Sequence, residues 1–367
     1  MNRTTGGFGP RFRHLDEMAP WNAQAQVLEC VAILPETPSA RTFCFQTPDE
    51  AWFRYLPGQF ITLEIPAGPV PVHRTYTISS SPSRPLHIAV TAKLHPESVG
   101  TRWLFDHLKV GDRLRAVGPA GLFTCHAWPA EKYLFVSAGS GITPMMSMTR
   151  WFFDQGRHCD IAFVSCARRP SEIIFRAELE RMAARVPSFS LAWVVGEPDP
   201  YSVWTGYRGR LNGLMLELMA PDYFDREIFC CGPAGFMQSV RDVLHAAGFD
   251  MQHYHEESFH APVTDPAQAV EPDDVIPDET RGARIVFAGS GLEAACSETD
   301  TILQVARGIG LNIPSGCQFG VCGTCKIRCR TGQTHMLHNG GIREDEIAEG
   351  YVLACCTRPL GVVEVEV

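Results

Sequence analysis

Residues 315–329 read SGCQFGVCGTCKIRC, and this stretch decides the fold of the last part of the chain. Cys317, Cys322 and Cys325 have the spacing C-x4-C-x2-C, which binds a two-iron, two-sulfur ([2Fe-2S]) cluster when a fourth thiolate comes from elsewhere. Glycines lie beside and between these thiols, where a loop around a cluster needs unusual backbone angles and N–H groups that face the sulfurs. The stretch therefore predicts an iron-sulfur module.

The fourth ligand must come from outside this loop. A zinc ribbon is the alternative, but it normally has two C-x2-C pairs and only one is present. If KIRCR continues as a strand, Cys329 lies about 13 Å beyond Cys325, at ~3.3 Å per residue, which is too far to share the site. Cys355 and Cys356 are adjacent, so only one of them can face the cluster from an extended segment. Geometry alone does not choose between them.

Composition narrows the class of protein. The 367 residues are 45% hydrophobic, enough for two or three domains, and the formal charge of -9 argues against a nucleic-acid partner. The N-terminus lacks the apolar stretch of a signal peptide, and no later run is long enough to span a bilayer. We therefore expect a cytoplasmic protein without a membrane partner. Its 14 cysteines are interpreted as reduced thiols, some of them metal ligands.

The chain divides into two larger parts before the iron-sulfur module. Residues 1–24 are polar and Gly-rich and predict a loosely ordered tail. Residues 25–128 contain short β-rich runs such as FITLEI, separated by Pro and Gly as in an antiparallel β-barrel. Residues 129–260 alternate apolar strands such as YLFVSA with helical stretches, which predicts an α/β domain with a parallel sheet.

The remaining residues form a linker and a small α+β module. Residues 261–282 carry four prolines and six acidic residues and predict a linker. Within residues 283–367, RIVFAGSGLEAACSET predicts a hairpin and DTILQVARGIG a helix capped by Asp300. The sequence thus predicts a multidomain protein with a β-barrel, an α/β domain and an α+β domain.

A flavin-binding pattern lies at the end of a barrel strand. Arg74 can pair with a phosphate, Tyr76 can pack against an isoalloxazine, and Thr77 can hydrogen-bond near the flavin N5. Alone the pattern is weak, since Arg, Tyr and Thr alternate on many barrel strands. The predicted flavin-binding residues of this segment are Arg74, Tyr76, Thr77 and Ser79.

A helix start in the same domain offers a second phosphate site. Val99, Gly100 and Thr101 open the helical segment RWLFDHL and could present N–H groups to a second phosphate, which would favour FAD over FMN. An ordinary helix N-terminus is an equally good interpretation of these residues taken by themselves.

Two turns of the α/β domain predict the nicotinamide nucleotide site. The first, GSGITP, follows YLFVSA and opens a helix, the setting that a pyrophosphate-binding turn requires. Its predicted binding residues are Gly139, Gly141, Thr143 and Pro144. The second, CCGP, ends another buried strand at the edge of the sheet where α/β proteins bind ligands. Its predicted binding residues are Cys231, Gly232 and Pro233.

Taken in order, RTYTISSSP, GSGITP and CGPAGFM resemble the motifs of the ferredoxin–NADP reductase superfamily, and the C-terminal module resembles a plant-type ferredoxin with a β-grasp fold. The resemblance covers about residues 26–367. Within it the chain is similar to reductase components of Rieske-type oxygenases that demethylate quaternary amines such as glycine betaine or stachydrine. It is also similar to the NADH reductase of the hybrid-cluster protein, although the segment MLHNGGIREDEIAEGYVLACCTRP resembles the former group more.

The resemblance implies cofactors and further site residues. It implies FAD, a [2Fe-2S] cluster and NADH, and its L-x-C element selects Cys355 as the fourth cluster ligand. It also implies that Glu257 and Phe259 approach the flavin and that Cys231 lies near the nicotinamide. Together with Thr77, which can bond near the flavin N5, Cys231 and Glu257 are the predicted catalytic residues. Charge alone at Arg168 would favour the 2′-phosphate of NADPH. Reductases of this kind that use NADH also have an arginine there, so NADH is the expected nucleotide.

The expected function is electron transfer from NADH to a terminal Rieske-type oxygenase. The flavin would accept two electrons at once and pass them singly to the cluster. The alternatives are a reductase for a hybrid-cluster protein and a redox sensor that contains the same groups. No Rieske C-x-H pair is present, so oxygenation would occur on another polypeptide.

Overall fold

The computed structural model describes residues 21, 26–48, 51–69, 71–95, 98–156, 159–200, 203–259, 277–278, 280–315, 320, 323–338 and 341–367. Outside the described residues lie the predicted tail except Trp21, most of the predicted linker, and the predicted cluster ligands Cys317 and Cys322. The strands in the rest form three sheets that follow one another along the chain.

The first sheet is the antiparallel barrel that the sequence predicts. Its strands are β1 (Gln26–Thr37), β2 (Ala40–Gln46), β3 (Phe60–Ile65), β4 (Val72–Thr77), β5 (Ile88–Lys93) and β6 (Arg113–Ala120), and its helix is α1 (Val99–Asp106). The strand order is β4-β3-β6-β1-β2-β5, and a bridge between Ile78 and Val90 joins the two ends. Alternating apolar residues of β3, including Ile61 and Leu63, are completely buried inside the barrel.

The second sheet is parallel throughout. Its strands are β7 (Lys132–Ala138), β8 (Asp160–Ala167), β9 (Phe189–Val195), β10 (Tyr207–Arg208), β11 (Glu227–Cys231) and β12 (Tyr254–Glu257). Its helices are α2 (Ile142–Gln155), α3 (Arg176–Ala183), α4 (Gly213–Met219) and α5 (Ala234–Ala247). The order β10-β9-β8-β7-β11-β12 reverses direction at β7, so the carboxyl ends of β7 and β11 border the crevice where such sheets bind ligands.

The third sheet belongs to the α+β module. Its strands are β13 (Gly282–Phe287), β14 (Leu292–Ser297), β15 (Lys326–Met336), β16 (Tyr351–Leu353) and β17 (Thr357–Glu366), and its helices are α6 (Ile302–Gly308) and α7 (Glu344–Ala348). The order is β14-β13-β17-β15-β16, with β13 and β17 parallel and the other pairs antiparallel. The three predicted fold types are therefore confirmed.

The predicted cap of α6 is wrong by one residue. Thr301, not Asp300, is the N-cap, because its hydroxyl accepts from the N–H of Gln304 at 3.3 Å while the Gln304 side chain accepts from the N–H of Thr301 at 2.9 Å. The Asp300 carboxylate instead accepts from the N–H of Ser297 at 2.9 Å in the preceding turn. The reciprocal pair satisfies two N–H groups at once, which a lone Asp cap does not.

The barrel and the parallel sheet pack against each other through α2. The Arg150 guanidinium donates to the Ser79 carbonyl at 2.6 Å, and the Ser147 hydroxyl donates to the Ser80 carbonyl at 2.8 Å. These bonds hold the end of β4 against the helix that begins at the first Gly-rich turn, so the two predicted cofactor sites adjoin. None of the helices in the described residues has the length and hydropathy to span a bilayer.

Candidate functional site

The end of β4 lies directly against the first turn of α1. A Cβ atom on Gly100 would lie 2.8 Å from Cγ of Arg74, so glycine lets the helix approach the strand. The Tyr76 hydroxyl contacts that of Thr101 at 3.1 Å, and the Ser98 hydroxyl caps the helix by accepting from the Thr101 N–H at 3.2 Å. The predicted flavin residues of β4 therefore meet the predicted phosphate-binding turn.

The arrangement suits a phosphorylated ligand. The first N–H groups of α1 have no acceptor within the helix, and the Arg74 side chain lies beside them. Val99, the first residue of α1, is about half exposed. The Arg74 guanidinium group and the N-terminus of α1 thus belong to neighbouring parts of the barrel, where both could bind phosphate groups.

The polar groups of Ser79 already have partners within the protein. Its hydroxyl contacts Thr91 at 2.9 Å and donates to the Ala89 carbonyl at 3.2 Å, and its N–H donates to the same carbonyl at 2.8 Å. Its own carbonyl accepts from Arg150. These bonds fix the backbone directly after β4, and the flavin contact of Ser79 stays a prediction.

Two buried polar groups near the carboxyl edge lack partners among the described residues. The Thr77 hydroxyl, at the end of β4, and Oε2 of Glu257, at the end of β12, make no hydrogen bond there although both are buried. Burial raises the pKa of Glu257 to about 8. Because an unsatisfied buried polar group is costly, these two atoms fit a ligand with polar edges such as a flavin.

Cys231 lies beside Glu257 in the parallel sheet. The two residues are paired in the register of β11 and β12, and Cys231 is completely buried. Burial, followed by the nearby Glu257 carboxyl, raises the pKa of the Cys231 thiol well above its usual range. A thiol with such a raised pKa is neutral at pH 7 and packs like a small apolar side chain.

The two Gly-rich turns meet at this edge. A Cβ atom on Gly141 would overlap the Cys231 carbonyl and approach the Gly232 nitrogen to 2.7 Å, so this position must be glycine. Gly139 has φ 57°, in the left-handed region that glycine tolerates. The predicted nucleotide-binding turns thus come together at the switch point of the sheet.

Other predicted residues of the nucleotide site have defined positions. The Thr143 hydroxyl donates to the Ser140 carbonyl at 3.0 Å. Pro144 is the third residue of α2, where the helix loses only an N–H that has no helical partner. Pro233 is the residue before α5, and Phe259, just past β12, is 37% exposed.

Arg168 and Arg169 both bind one carboxylate. Arg168 donates from Nε to Oε1 of Glu197 at 3.2 Å, and Arg169 donates from Nε and Nη2 to Oε2 at 3.3 and 3.1 Å. Hydrogen bonds from Arg168 and then Arg169 lower the pKa of Glu197. The sequence reasoning overlooked Glu197, although an acidic residue directly after a strand of such a sheet was a usable signal.

The C-terminal module brings the two described cluster residues together. Cys325 and Cys355 are both buried, and the N–H of Ala354 donates to the Cys325 carbonyl at 3.0 Å. Gly323 has φ 68°, and a Cβ atom there would lie 2.7 Å from the Gly341 carbonyl. A buried thiol pair beside a glycine-shaped loop fits an iron-sulfur cluster.

The neighbouring cysteines differ in position. Cys356 is partly buried, and its thiol donates to the Leu353 carbonyl at 3.6 Å. Cys329 lies within β15, where its thiol donates to the Thr331 carbonyl at 3.5 Å, and it packs at the margin of the module core.

A threonine series joins the module to the barrel. The Thr62 hydroxyl on β3 contacts the hydroxyl of Thr75 on β4 at 3.1 Å and that of Thr324 at 3.3 Å. Thr324 directly precedes Cys325, and Thr75 lies between Arg74 and Tyr76. The predicted flavin strand and the predicted cluster loop are therefore adjacent, a contact that the sequence reasoning did not foresee.

Comparison with protein families divides the chain in the same order. Residues 31–125 match the oxidoreductase FAD-binding domain, residues 135–242 the oxidoreductase NAD-binding domain, and residues 285–360 the 2Fe-2S iron-sulfur cluster binding domain. The cofactors are therefore FAD, NAD and a [2Fe-2S] cluster, as predicted, and the protein is an oxidoreductase.

Relatives resemble the chain over nearly its whole length. It is 55% identical to the stachydrine N-demethylase reductase subunit Stc4 of Rhizobium meliloti, over 95% of this chain and 98% of the relative. It is 43% identical to a glycine betaine monooxygenase reductase subunit of Pseudomonas aeruginosa, over 94% and 96%. Phthalate dioxygenase reductase shares the fold, with a TM-score of 0.58 at 21% identity over 94% of this chain and 98% of that structure. The chain therefore belongs to the family of flavin, NAD and [2Fe-2S] reductases that includes the reductase subunits of stachydrine and glycine betaine monooxygenases.

Proposed function

We propose that this protein oxidises NADH and delivers the electrons, one at a time, to a Rieske-type oxygenase that demethylates a quaternary amine such as stachydrine or glycine betaine. The domains would be residues 25–128 for FAD, 129–260 for the nucleotide and 283–367 for the cluster, joined by the linker 261–282. The relatives named above support the choice of an oxygenase as the partner. We propose that the reductase and this oxygenase work in the cytoplasm.

The contact between Thr62 and Thr324 is the observation that carries this proposal. It joins the barrel to the residue beside Cys325 at 3.3 Å. Thr62 also contacts Thr75 on β4, so the strand that would hold the flavin and the residues that would hold the cluster are neighbours. FAD supplies the conversion between a two-electron donor and a one-electron acceptor when it is bound.

The residues of the chain have separate roles in this function. Arg74 and the first turn of α1 would hold the flavin phosphates, and Thr77 would hydrogen-bond the flavin ring. The glycines of the two turns at β7 and β11 leave space for the nucleotide, and the neutral Cys231 thiol would border the nicotinamide. Because its pKa is about 8, Glu257 is protonated at neutral pH and can donate a hydrogen bond from a site that excludes water.

The cluster would be held by Cys317, Cys322, Cys325 and Cys355. The first two lie outside the described residues, so their part in the set rests on the spacing C-x4-C-x2-C. The buried positions of Cys325 and Cys355 support the other two.

Reconstitution tests the proposal. The purified chain should contain one FAD and two irons, and should reduce cytochrome c rapidly with NADH. Adding a Rieske-type oxygenase should give NADH oxidation that depends on stachydrine or glycine betaine. Coupling only to a hybrid-cluster protein would contradict the proposed partner, and a chain that reduces no acceptor at a sustained rate would indicate a sensor.

A further inference from the structure

We propose that Glu197 makes the enzyme select NADH over NADPH, because its carboxylate occupies the arginine pair that would otherwise bind the 2′-phosphate of NADPH. This inference rests on the proposed nucleotide site at the carboxyl edge of the parallel sheet. The charge of Arg168 alone would favour a 2′-phosphate, but in the structure Arg168 and its neighbour Arg169 both bind Glu197.

The backbone fixes Glu197 beside the arginines. It follows β9, and its N–H donates to the Arg168 carbonyl at 2.7 Å, while the N–H of Gly196 donates to the Ala167 carbonyl at 3.0 Å. These bonds extend the pairing of β8 and β9 past the ends of both strands. The carboxylate is therefore held at the sheet edge where the adenosine ribose lies in dinucleotide-binding folds.

The ion pairs use the donors that a phosphate would need. A guanidinium recognises phosphate through parallel N–H donors, and here Nε of Arg168 and both Nε and Nη2 of Arg169 point at Glu197. A 2′-phosphate would have to displace this carboxylate or lie a few ångströms from it. Either arrangement places two negative groups together, which disfavours NADPH.

A 2′-hydroxyl meets the opposite situation. Glu197 retains 46% of its side-chain surface, so a ribose can reach it. The carboxylate is fixed by one arginine on each oxygen, and it can still accept a hydrogen bond from the 2′-hydroxyl of NADH on a remaining lone pair. Asp199, the next acidic residue, accepts from the N–H and hydroxyl of Ser171 at 2.8 Å and not from the two arginines.

The test compares the two nucleotides in the complete enzyme with Glu197→Gln. Ferricyanide serves as acceptor, because it takes electrons from the flavin and makes the assay independent of the oxygenase. We expect wild type to prefer NADH. In the variant, kcat/KM for NADPH relative to NADH should rise by about tenfold or more, mainly through a lower KM for NADPH, because the carboxylate charge is removed. The inhibition constant of 2′,5′-ADP should fall by a similar factor while that of 5′-AMP changes little.

Two further variants make the result specific. Adding Arg168→Ala and Arg169→Ala to Glu197→Gln should abolish the gain, because the freed guanidinium groups would produce it. Glu172→Gln is the matched control, since Glu172 binds Lys93 at 2.8 Å instead, and it should leave the nucleotide ratio unchanged. Glu197→Ser provides a second neutral side chain in case the first variant folds poorly.

The outcomes separate this inference from the proposed function. An unchanged nucleotide ratio in both Glu197 variants, or a wild-type preference for NADPH, would overturn the role of Glu197 while leaving the reductase function standing. A wild-type chain that oxidises neither nucleotide would remove the proposed function itself.

Discussion

The Thr62 hydroxyl in the barrel contacts the hydroxyl of Thr324, the residue before the predicted cluster ligand Cys325, at 3.3 Å. This pair joins two modules that are distant in the sequence, and Thr62 also contacts Thr75 on the strand that carries the predicted flavin residues. If the cluster receives electrons from the flavin, the geometry of this contact should influence the rate.

We expect Thr62→Val to slow reduction of the cluster by about threefold to tenfold, since loss of one hydrogen bond loosens the contact by about 1 kcal/mol. NADH-dependent cytochrome c reduction and stopped-flow bleaching of the cluster measure this step. Ferricyanide reduction, which takes electrons from the flavin, should change little.

Thr42→Val is the matched control for the threonine contact. The Thr42 hydroxyl contacts that of Thr91 at 2.8 Å and donates to the Glu36 carboxylate at 2.6 Å, and both of these partners belong to the barrel. Equal slowing in both variants would show that general weakening of the barrel, rather than the contact with Thr324, limits the electron transfer.

The adjacent cysteines at the end of β16 give a second prediction. Cys355→Ser should reduce the iron content from two per chain to near zero and abolish cytochrome c reduction, because a [2Fe-2S] cluster needs four ligands. Cys356→Ser should keep the two irons and the cytochrome c reduction, since the Cys356 thiol donates to the Leu353 carbonyl. Iron analysis and visible spectra of the two proteins decide between them, and the reverse pattern would reassign the ligand to Cys356.

The sequence predicted the three fold types because each rests on local patterns. Strands such as FITLEI alternate apolar residues at the period of a barrel strand, and the buried run YLFVSA ends at a glycine turn. The cap of α6 was missed by one residue, because Asp300 and Thr301 are both good N-caps and only the Gln304 side chain separates them.

The residues that the sequence did not reveal depend on contacts between distant elements. Arg168 and Glu197 are 29 residues apart, and Thr62 and Thr324 are 262 apart. No periodicity or motif links Thr62 with Thr324. The position of Glu197 after a strand of the sheet indicates a candidate site residue, but it does not show that Arg168 is its partner, since that proximity follows from sheet order. Ser79 shows the opposite limit: a motif indicates its place beside the site, but not that its polar groups bind the barrel and Arg150.

Close packing at the two Gly-rich turns gives a third prediction. Gly141→Ala should lower NADH-dependent flavin reduction by about 100-fold or prevent folding of the nucleotide domain, because the new Cβ overlaps the Cys231 carbonyl. Gly235→Ala in α5 is the control, since a Cβ there meets no atom within 4 Å. It should keep activity and stabilise the domain by up to about 1 kcal/mol. Stopped-flow flavin reduction and thermal unfolding are measured for both variants. Normal flavin reduction in Gly141→Ala would contradict the close packing between Gly141 and the Cys231 carbonyl.

The buried carboxyl of Glu257 makes the stability of the nucleotide domain depend on pH. Its pKa in the folded protein is about 8, against a usual 4.5, because burial disfavours the charged form. Between these values the folded state holds a proton that the unfolded state has released, so stability must fall as the pH rises, by at most about 1.4 kcal/mol per pH unit. Glu257→Gln resembles the protonated carboxyl and should not lose this stability. Urea unfolding of both proteins at pH 6 and 7.5, with saturating FAD, measures the difference. From pH 6 to pH 7.5, the free energy of unfolding of the variant should rise relative to that of wild type by up to about 2 kcal/mol. If the two free energies of unfolding instead change equally with pH, Glu257 is ionised in the folded protein.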